Sequence, residues 1–287
     1  MPFDRARDLE GVLDLVGRAR ARAETGAIFH PGGLQWWLRR LGVPGFDVGV
    51  VRSGGDVIGL ALRDRTDVLV QGRSDRTELL AWAEARVGGS DGGEMLVSVA
   101  EDDETLRRSV AARGYDETDR VGYELVYDLT AEPRAPELDP GFAMISLTPA
   151  IADAYVEMHR DAWTRPTAPS SYDRRQHDLV TAMPDFRYDL VPIVTAPDGT
   201  LAAYCMSWWD PRSASVEIEP LGTRPAFRRK RLARAIVREV FRRGYALGAR
   251  YVLVWGTTSN DAALKLYLSA GMRSRRVLRD YRFAPRR

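Results

Sequence analysis

The stretch "TRPAFRRKRLARAIVREV", Thr223 to Val240, decides how the chain is read. It sets four basic residues in a row, Arg228 to Arg231, where a strand pattern gives way to a helical one. Beyond them Leu232, Ile236 and Val240 recur at helical spacing, with Ala233, Val237 and Phe241 beside them. That spacing predicts a long amphipathic helix reaching about Leu247. Arg234, Arg238 and Arg242 fall on its opposite, solvated side. The run of four is different. It sits where the first N–H groups of a helix lack partners and where the helix dipole gathers positive charge. Free amides joined by guanidinium groups suit a diphosphate. The small Ala233 lets the backbone come close.

The rest of the chain narrows the choices. At 287 residues, two domains are expected rather than one. An apolar share of 45% allows a substantial core. Net charge is only +2, so the basic run needs a local explanation and general nucleic-acid binding is disfavoured. Lysine occurs only at Lys230 and Lys265, an arginine bias that points to a GC-rich, bacterial genome. Cys205 is the single cysteine, which leaves no disulfide framework or Cys-rich metal site within one chain, and no metal is expected. The N-terminus is charged and carries no signal-like apolar core, and no run approaches the ~18 apolar residues of a membrane span. A cytoplasmic location is expected.

Working outward, the chain reads as the same order of elements twice. Residues 1–129 show an amphipathic helix near Arg7 to Ala23, then a second helical segment after a Pro-Gly-Gly break. A hairpin turning at Ser53 to Asp56 follows, then a short strand, helix, buried strand, helix ending at Gly114, and a last alternating strand. "TAEPRAPELDPG", residues 130–141, holds three prolines and no apolar periodicity, and reads as a linker. Residues 142–287 repeat the order: strand, two helices, a hairpin around Pro197-Asp198-Gly199, strand, the long helix, strand, helix, strand. "MLVSVAEDDETLRRSVAARGY" parallels "YVLVWGTTSNDAALKLYLSAGM" most clearly. The first half shows no opening strand. The fold class is α/β, a mixed and largely antiparallel sheet flanked by helices, present as two copies.

At "FRRKRLARAIV" the sequence resembles the GCN5-related N-acetyltransferase (GNAT) superfamily, whose acyl-CoA motif runs Gln/Arg-x-x-Gly-x-Gly/Ala. Arg228 matches its first position and Ala233 its last. "VEIEPLGTRP" resembles the family's preceding strand, and "TTSNDAALKLYLSAGM" its later motif. The tandem arrangement is similar to that of mycothiol synthase, a two-copy relative. The resemblance implies tandem GNAT folds and acetyl transfer from acetyl-CoA to a primary amine of a small molecule, such as an amino sugar or an aminoglycoside-like compound. A non-catalytic acyl-CoA sensor or scaffold is the alternative. The expected assembly is a monomer or homodimer, without nucleic acid or membrane partners.

The resemblance also assigns residues. Leu221, Gly222, Thr223, Arg228, Arg229, Lys230, Arg231, Leu232, Ala233 and Asn260 would hold the donor, Asn260 either touching its arm or capping a helix. Arg231 stands where the motif has Gly; a positive φ at that position would make Arg costly, whereas a helical backbone, the favoured alternative, would let Arg231 add a phosphate contact. Glu217 or Glu219 would be the general base, with Glu217 fitting the spacing better, and Leu221 is expected on their face by strand parity. Tyr267 would protonate the leaving thiolate. Asp161, Trp163 and Trp208 offer acid and aromatic surface for a cationic acceptor. His159 and His177 are expected to be packing residues, and Cys205 a buried one. The first half lacks the motif. Asp75 and Glu78 resemble a capping box at the corresponding helix start, and Ser109 and Val110 stand where Tyr would be needed, so no donor is expected there.

Overall fold

The computed structural model describes residues 2–73, 76–87, 93–165 and 168–284. In the first half, helix α1 (Arg5–Ala21) starts two residues earlier than its apolar pattern suggested, because the Asp4 side chain accepts from the Arg7 N–H at 2.9 Å. Helix α2 (Pro31–Leu38) absorbs the Pro-Gly-Gly expected to be a break. Pro31 fits the first helical turn, where its missing N–H costs nothing. Gly32 and Gly33 serve close approach instead. A Cβ on Gly32 would lie 1.9 Å from Trp208 Cβ, and one on Gly33 2.4 Å from Glu217 Oε2. The half continues with β1 (Phe46–Ser53), β2 (Asp56–Asp64), β3 (Asp67–Gly72), α3 (Thr77–Glu84), β4 (Met95–Ala100), α4 (Glu104–Ala112) and β5 (Asp116–Asp128).

The second half runs β6 (Ala143–Ser146), α5 (Ala152–Trp163), α6 (Arg174–Thr181), β7 (Pro192–Thr195), β8 (Leu201–Asp210), β9 (Ser215–Thr223), α7 (Leu232–Ala246), β10 (Tyr251–Thr257), α8 (Asp261–Ser269) and β11 (Arg273–Phe283). The strand missing from the start of the first half survives as one bridge, Pro2 to Gly49, with the Phe3 N–H bonded to Val48 O at 3.1 Å.

The eleven strands of the described residues form one sheet, in the order β1-β2-β3-β4-β11-β5-β10-β9-β8-β7-β6. The halves exchange their last strands. β5 leaves its own half to pair with β10, and β11 leaves its own to pair with β4; the two pair with each other at the centre. In each half the two strands flanking the main crossover helix run parallel over three residues only. Asp67–Leu69 pairs with Leu96–Ser98, and Ser215–Glu217 with Tyr251–Leu253. Past those residues each pair parts and leaves a gap in the sheet.

Apolar packing follows the exchange. One core joins α1 and α2 to α5, α6 and β8, with Val12, Leu34, Trp36, Tyr155, Met158 and Trp208 buried together across the two halves. A second lies under α7, where Phe241 stacks on Tyr127 of the exchanged β5 with ring centroids 4.0 Å apart. A third lies beneath α3 and α4.

A buried ion group locks the crossing. Glu124 on β5 is fully enclosed and pairs with Arg20 of α1 and with Arg275 of β11, the latter at 2.9 and 3.0 Å. Arg20 also donates to Phe29 O at 3.1 Å. Burial works against the Glu124 charge, but the two guanidinium groups win and hold its carboxyl below the usual range. Removing one partner of such a group strands the other charges. Glu124→Gln is therefore expected to lower unfolding free energy by about 3–5 kcal/mol, read from the urea midpoint.

Candidate active site

The end of β9 leads through a single turn, Pro225–Phe227, to the basic run. Arg228 is extended, while Arg229 and Arg231 take left-handed backbone angles, φ 66° and 59°. The expectation of a helical backbone at Arg231 is thus corrected: the position has the positive φ that glycine adopts freely, and an L side chain here is strained. The helix begins one residue later, at Leu232. Among the described residues, the backbone amides of residues 229–234 make no hydrogen bond within the protein. Six free donors therefore collect at the positive end of α7. They face a groove of about 670 Å³ between α7 and α8, lined by Phe227, Arg228, Arg229, Arg231, Ala233 and Lys265.

The other residues expected at this groove divide by role. Arg228 fastens the turn, donating to Thr223 O at 3.3 Å and Ala162 O at 3.2 Å. The Lys230 side chain leaves the groove and lies over the rings of Phe142 and Phe227. Asn260 caps α8, accepting from the Ala263 N–H at 3.3 Å. Leu221 is not on the face of Glu217. On β9, Ile218 to Leu221 spans the same length as Ser207 to Cys205 on β8. That bulge of one extra residue flips the strand's parity, and Leu221 packs beneath α7. The Arg224 N–H bonds to Ala202 O at 2.9 Å. By alternation, the amides of Leu221 and Thr223 point the other way, into the gap beside β10.

Glu217 and Glu219 both face a cavity of about 240 Å³ between the halves. Their environments differ. Glu217 is buried and occupied: its Oε2 accepts from the Gly33 N–H at 2.6 Å, at the start of α2, and lies 3.3 Å from His30 Nδ1. Glu219 makes no side-chain hydrogen bond among the described residues. Burial, then the nearby Glu217 charge, push its carboxyl up to about 8, with Arg39 opposing. Tyr267 is buried beneath α7 and α8. Burial, then Cys205 and Glu219, hold its hydroxyl well above the usual range and so protonated.

A second opening of about 310 Å³ adjoins the first; Trp37 and Glu219 line both. Its walls include Trp36 of α2 and His159, Trp163 and Tyr172 of the second half. His159 stacks on Tyr172 at 3.8 Å, and burial holds it well below its ordinary pKa and uncharged. Trp163 bonds to the Tyr204 hydroxyl at 2.8 Å and stays 40% exposed. Two expected acceptor residues lie elsewhere. Trp208 is wholly enclosed, donates to Glu219 O at 2.8 Å and packs on Gly32, so it positions the strand. Asp161 pairs with Arg224 at 2.6 Å outside both cavities. Cys205 is buried and its thiol pushed up by burial. Sequence reasoning missed His30, Trp37 and Arg39. They lie in the first half, and only the tertiary fold carries them to Glu217 and Glu219.

Residues 149–272 match the acetyltransferase (GNAT) family model. The second half is a GNAT domain. Comparison with curated proteins by sequence gives no match. Among solved structures, the chain resembles a tandem GNAT protein from the clavulanic acid biosynthesis pathway, with TM-score 0.65, 19% identity, and coverage of 100% of this chain and 99% of that one. It also resembles a GCN5-related N-acetyltransferase from Sphaerobacter thermophilus, with TM-score 0.63, 21% identity and coverage of 98% and 94%. A GNAT-family acetyltransferase from Colwellia psychrerythraea gives TM-score 0.62, 12% identity and coverage of 99% and 98%. At these identities the likeness is one of fold: two GNAT folds in tandem.

The first GNAT copy keeps the gap but closes the groove. Arg76, at the start of α3, holds the place of Arg231, and Asp103, which caps α4, holds the place of Asn260. The two are joined by a buried, two-pronged ion pair, both contacts at 2.6 Å. Gly26 packs onto it; a Cβ there would lie 2.0 Å from Asp103 Oδ2. Val110 stands where the second copy has Tyr267, seventh in its helix. Asp75 of the expected capping box lies outside the described residues.

The strain at Arg231 has a measurable consequence. Arg231→Gly relieves the left-handed penalty of about 1 kcal/mol. The variant is expected to unfold at a slightly higher urea midpoint than the wild type; a lower midpoint would mean that the arginine side chain stabilises this turn by more than the strain costs.

Proposed function

We propose that the protein transfers an acetyl group from acetyl-CoA to a primary amine of a small molecule. The observation that carries this reading is the row of six unbonded amides at the start of α7, beside a gap in the sheet whose other face bears Glu219. The amides of residues 229–234, with Arg228, Arg229, Arg231 and Lys265, would hold the diphosphate of the donor. When bound, the donor supplies a thioester carbonyl to the gap.

The remaining chemistry belongs to this chain. Glu219, titrating near 8, takes a proton from the incoming ammonium and frees its lone pair for attack. As the C–N bond forms and the C–S bond breaks, the amides of Leu221 and Thr223 face the developing oxyanion. Tyr267 returns a proton to the leaving sulfur, and the second amine proton passes to solvent. Glu217 is tied to α2 and holds the two halves in register, so Glu219 is the base in this reading. The cavity is smaller than the ~300 Å³ at which drug-sized sites begin, which favours a compact amine or single amino sugar over an aminoglycoside. Asp64 pairs with Arg40, and Asp67 and Asp280 share Arg120, so with Glu217 and Glu219 the carboxylates around the cavity outnumber these arginines, which favours a cation.

Release of free thiol from acetyl-CoA across an amine panel tests the activity. The rate should rise with pH through about 8 as Glu219 loses its proton. Glu219→Gln should slow turnover by about 10²–10⁴-fold and abolish that limb. A limb that survives the substitution would assign the base elsewhere.

Ala233→Glu tests the donor site separately. A carboxylate in the first turn suits the helix dipole, so the fold should hold, while the charge repels a diphosphate. Acetyl-CoA should bind the wild type with one site per chain and the variant with at least about tenfold lower affinity, by calorimetry. Unchanged affinity would place the donor outside this groove.

A further inference from the structure

Arg39, at the end of α2, is a cation that the reaction above leaves without a counterion. It makes no ion pair among the described residues. Its guanidinium lies over the Trp36 ring, 3.5 Å from the centroid, and Nη1 donates to Trp36 O at 2.5 Å. Nε is buried and unbonded. Nη2 is unbonded too, but it keeps accessible surface, and Arg39 lines the second opening beside Glu219. Burial pushes the guanidinium down to about 10, so it is still charged at neutral pH.

A desolvated charge is costly unless an opposite charge meets it. The walls supply none. Among the described residues that line the second opening, Glu219 is the one carboxylate, and it feels the Arg39 charge without pairing with it. It titrates near 8, so it is mostly neutral where Arg39 is charged. Arg40 is held by Asp64, and His159 is uncharged. Arg165, exposed at the rim, has no ion pair among the described residues. The second opening is therefore cationic, whereas the first cavity gathers Glu217, Asp67 and Asp280 around a single Arg120. The two spaces favour opposite charges, and Glu219 lines both.

We propose that the acceptor is a compact amino acid, whose carboxylate is received by Arg39 Nη2 in the second opening while its amine lies at Glu219. This rests on the acetyltransferase reading and names the acceptor class within it. Stacking on Trp36 and the bond to Trp36 O fix the plane of the guanidinium, so the free Nη2 is a directed, charge-assisted donor. A carboxylate brings the single negative charge that Arg39 lacks. A phosphate suits the place less well, because its second negative charge would stand near Glu219 as that group ionises to act as base. A neutral amine or amino sugar leaves Arg39 unmet. The acceptor then bridges the halves, since α2 belongs to the first and Glu219 to the second.

The test compares matched pairs in the thiol-release assay, each amine being the acid without its carboxylate: glycine with methylamine, β-alanine with ethylamine, and L-phenylalanine with 2-phenylethylamine. O-phosphoethanolamine and D-glucosamine are added as further acceptors. The wild type should favour the acid of at least one pair by about tenfold or more in kcat/KM, as one charge-assisted hydrogen bond allows. In Arg39→Gln that ratio should fall towards one, mainly through KM of the acid. Arg39→Met, which can still lie on Trp36 but carries no charge, is read in the same way and guards against a loss specific to the first substitution. Losing the Arg39 charge also raises Glu219 further, which moves the alkaline limb upward for both members of a pair and cancels in their ratio. Equal use of both members of every pair by the wild type, or a ratio unchanged in both variants, overturns the role of Arg39 and leaves the acetyltransferase reading standing. Preference for O-phosphoethanolamine or D-glucosamine over every amino acid overturns the acceptor class in the same way. Acetyl-CoA binding without turnover of any of these amines overturns both.

Discussion

Two parallel strands that part after three paired residues set the terms for the rest of this molecule. β9 and β10 share hydrogen bonds only from Ser215 to Glu217. Beyond that point β9 still pairs with β8 on one edge, while its other edge is open. A gap inside a sheet exposes backbone donors that would otherwise be spent on the ladder. Here it does so next to a helix whose first three amides, with the three that precede them, make no hydrogen bond among the described residues. Polar backbone groups are thus concentrated at one spot without any need for buried charged side chains to hold them. The bulge at Glu219 and Pro220 belongs to the same feature, because it turns Leu221 under α7 and leaves Glu219 against the opposite cavity.

The strand exchange ties the first copy, whose helix starts are joined by Arg76 and Asp103, into the rest of the protein. Each half lacks a complete sheet on its own, since its last strand pairs in the other. The exchange also brings α2 against β8 and β9, where Gly32 and Gly33 permit contact with Trp208 and Glu217. A carboxylate from one half therefore accepts a backbone hydrogen bond from the other. This contact explains the different fates of two glutamates on neighbouring positions of one strand. Glu217 is satisfied by α2, while Glu219 is desolvated beside it and titrates near 8.

The two helix starts show how one fold carries opposite electrostatics at matching places. In the second half the helix starts hold an arginine and an asparagine that do not touch, and the amides stay free. In the first, an arginine and an aspartate at matching positions form a buried ion pair. The aspartate puts negative charge where a diphosphate would sit and consumes the arginine that would otherwise attract it. The first helix start is closed by one side chain pairing with another, with the surrounding strands and helices unchanged in order.

Much of this was legible in the chain. Periodicity placed the helices and strands, the internal likeness between 95–115 and 251–272 declared two copies, and Arg228 to Ala233 marked the helix start. These are local properties, carried by residues within a few positions of one another. What was not legible depended on contacts between distant segments. Strand parity put Leu221 on the wrong face because a bulge is set by the partner strand. The backbone at Arg231 turned left-handed where a helical turn was expected. Trp208 looked like ligand surface until α2 covered it, and His30 had no visible relation to Glu217, far along the chain in the other half. The sequence by itself determined the elements, their repetition and the polarity of α7. Only the tertiary structure decided which glutamate is tied to α2 and which is left without a partner among the described residues, because burial and hydrogen bonding between the halves set those properties.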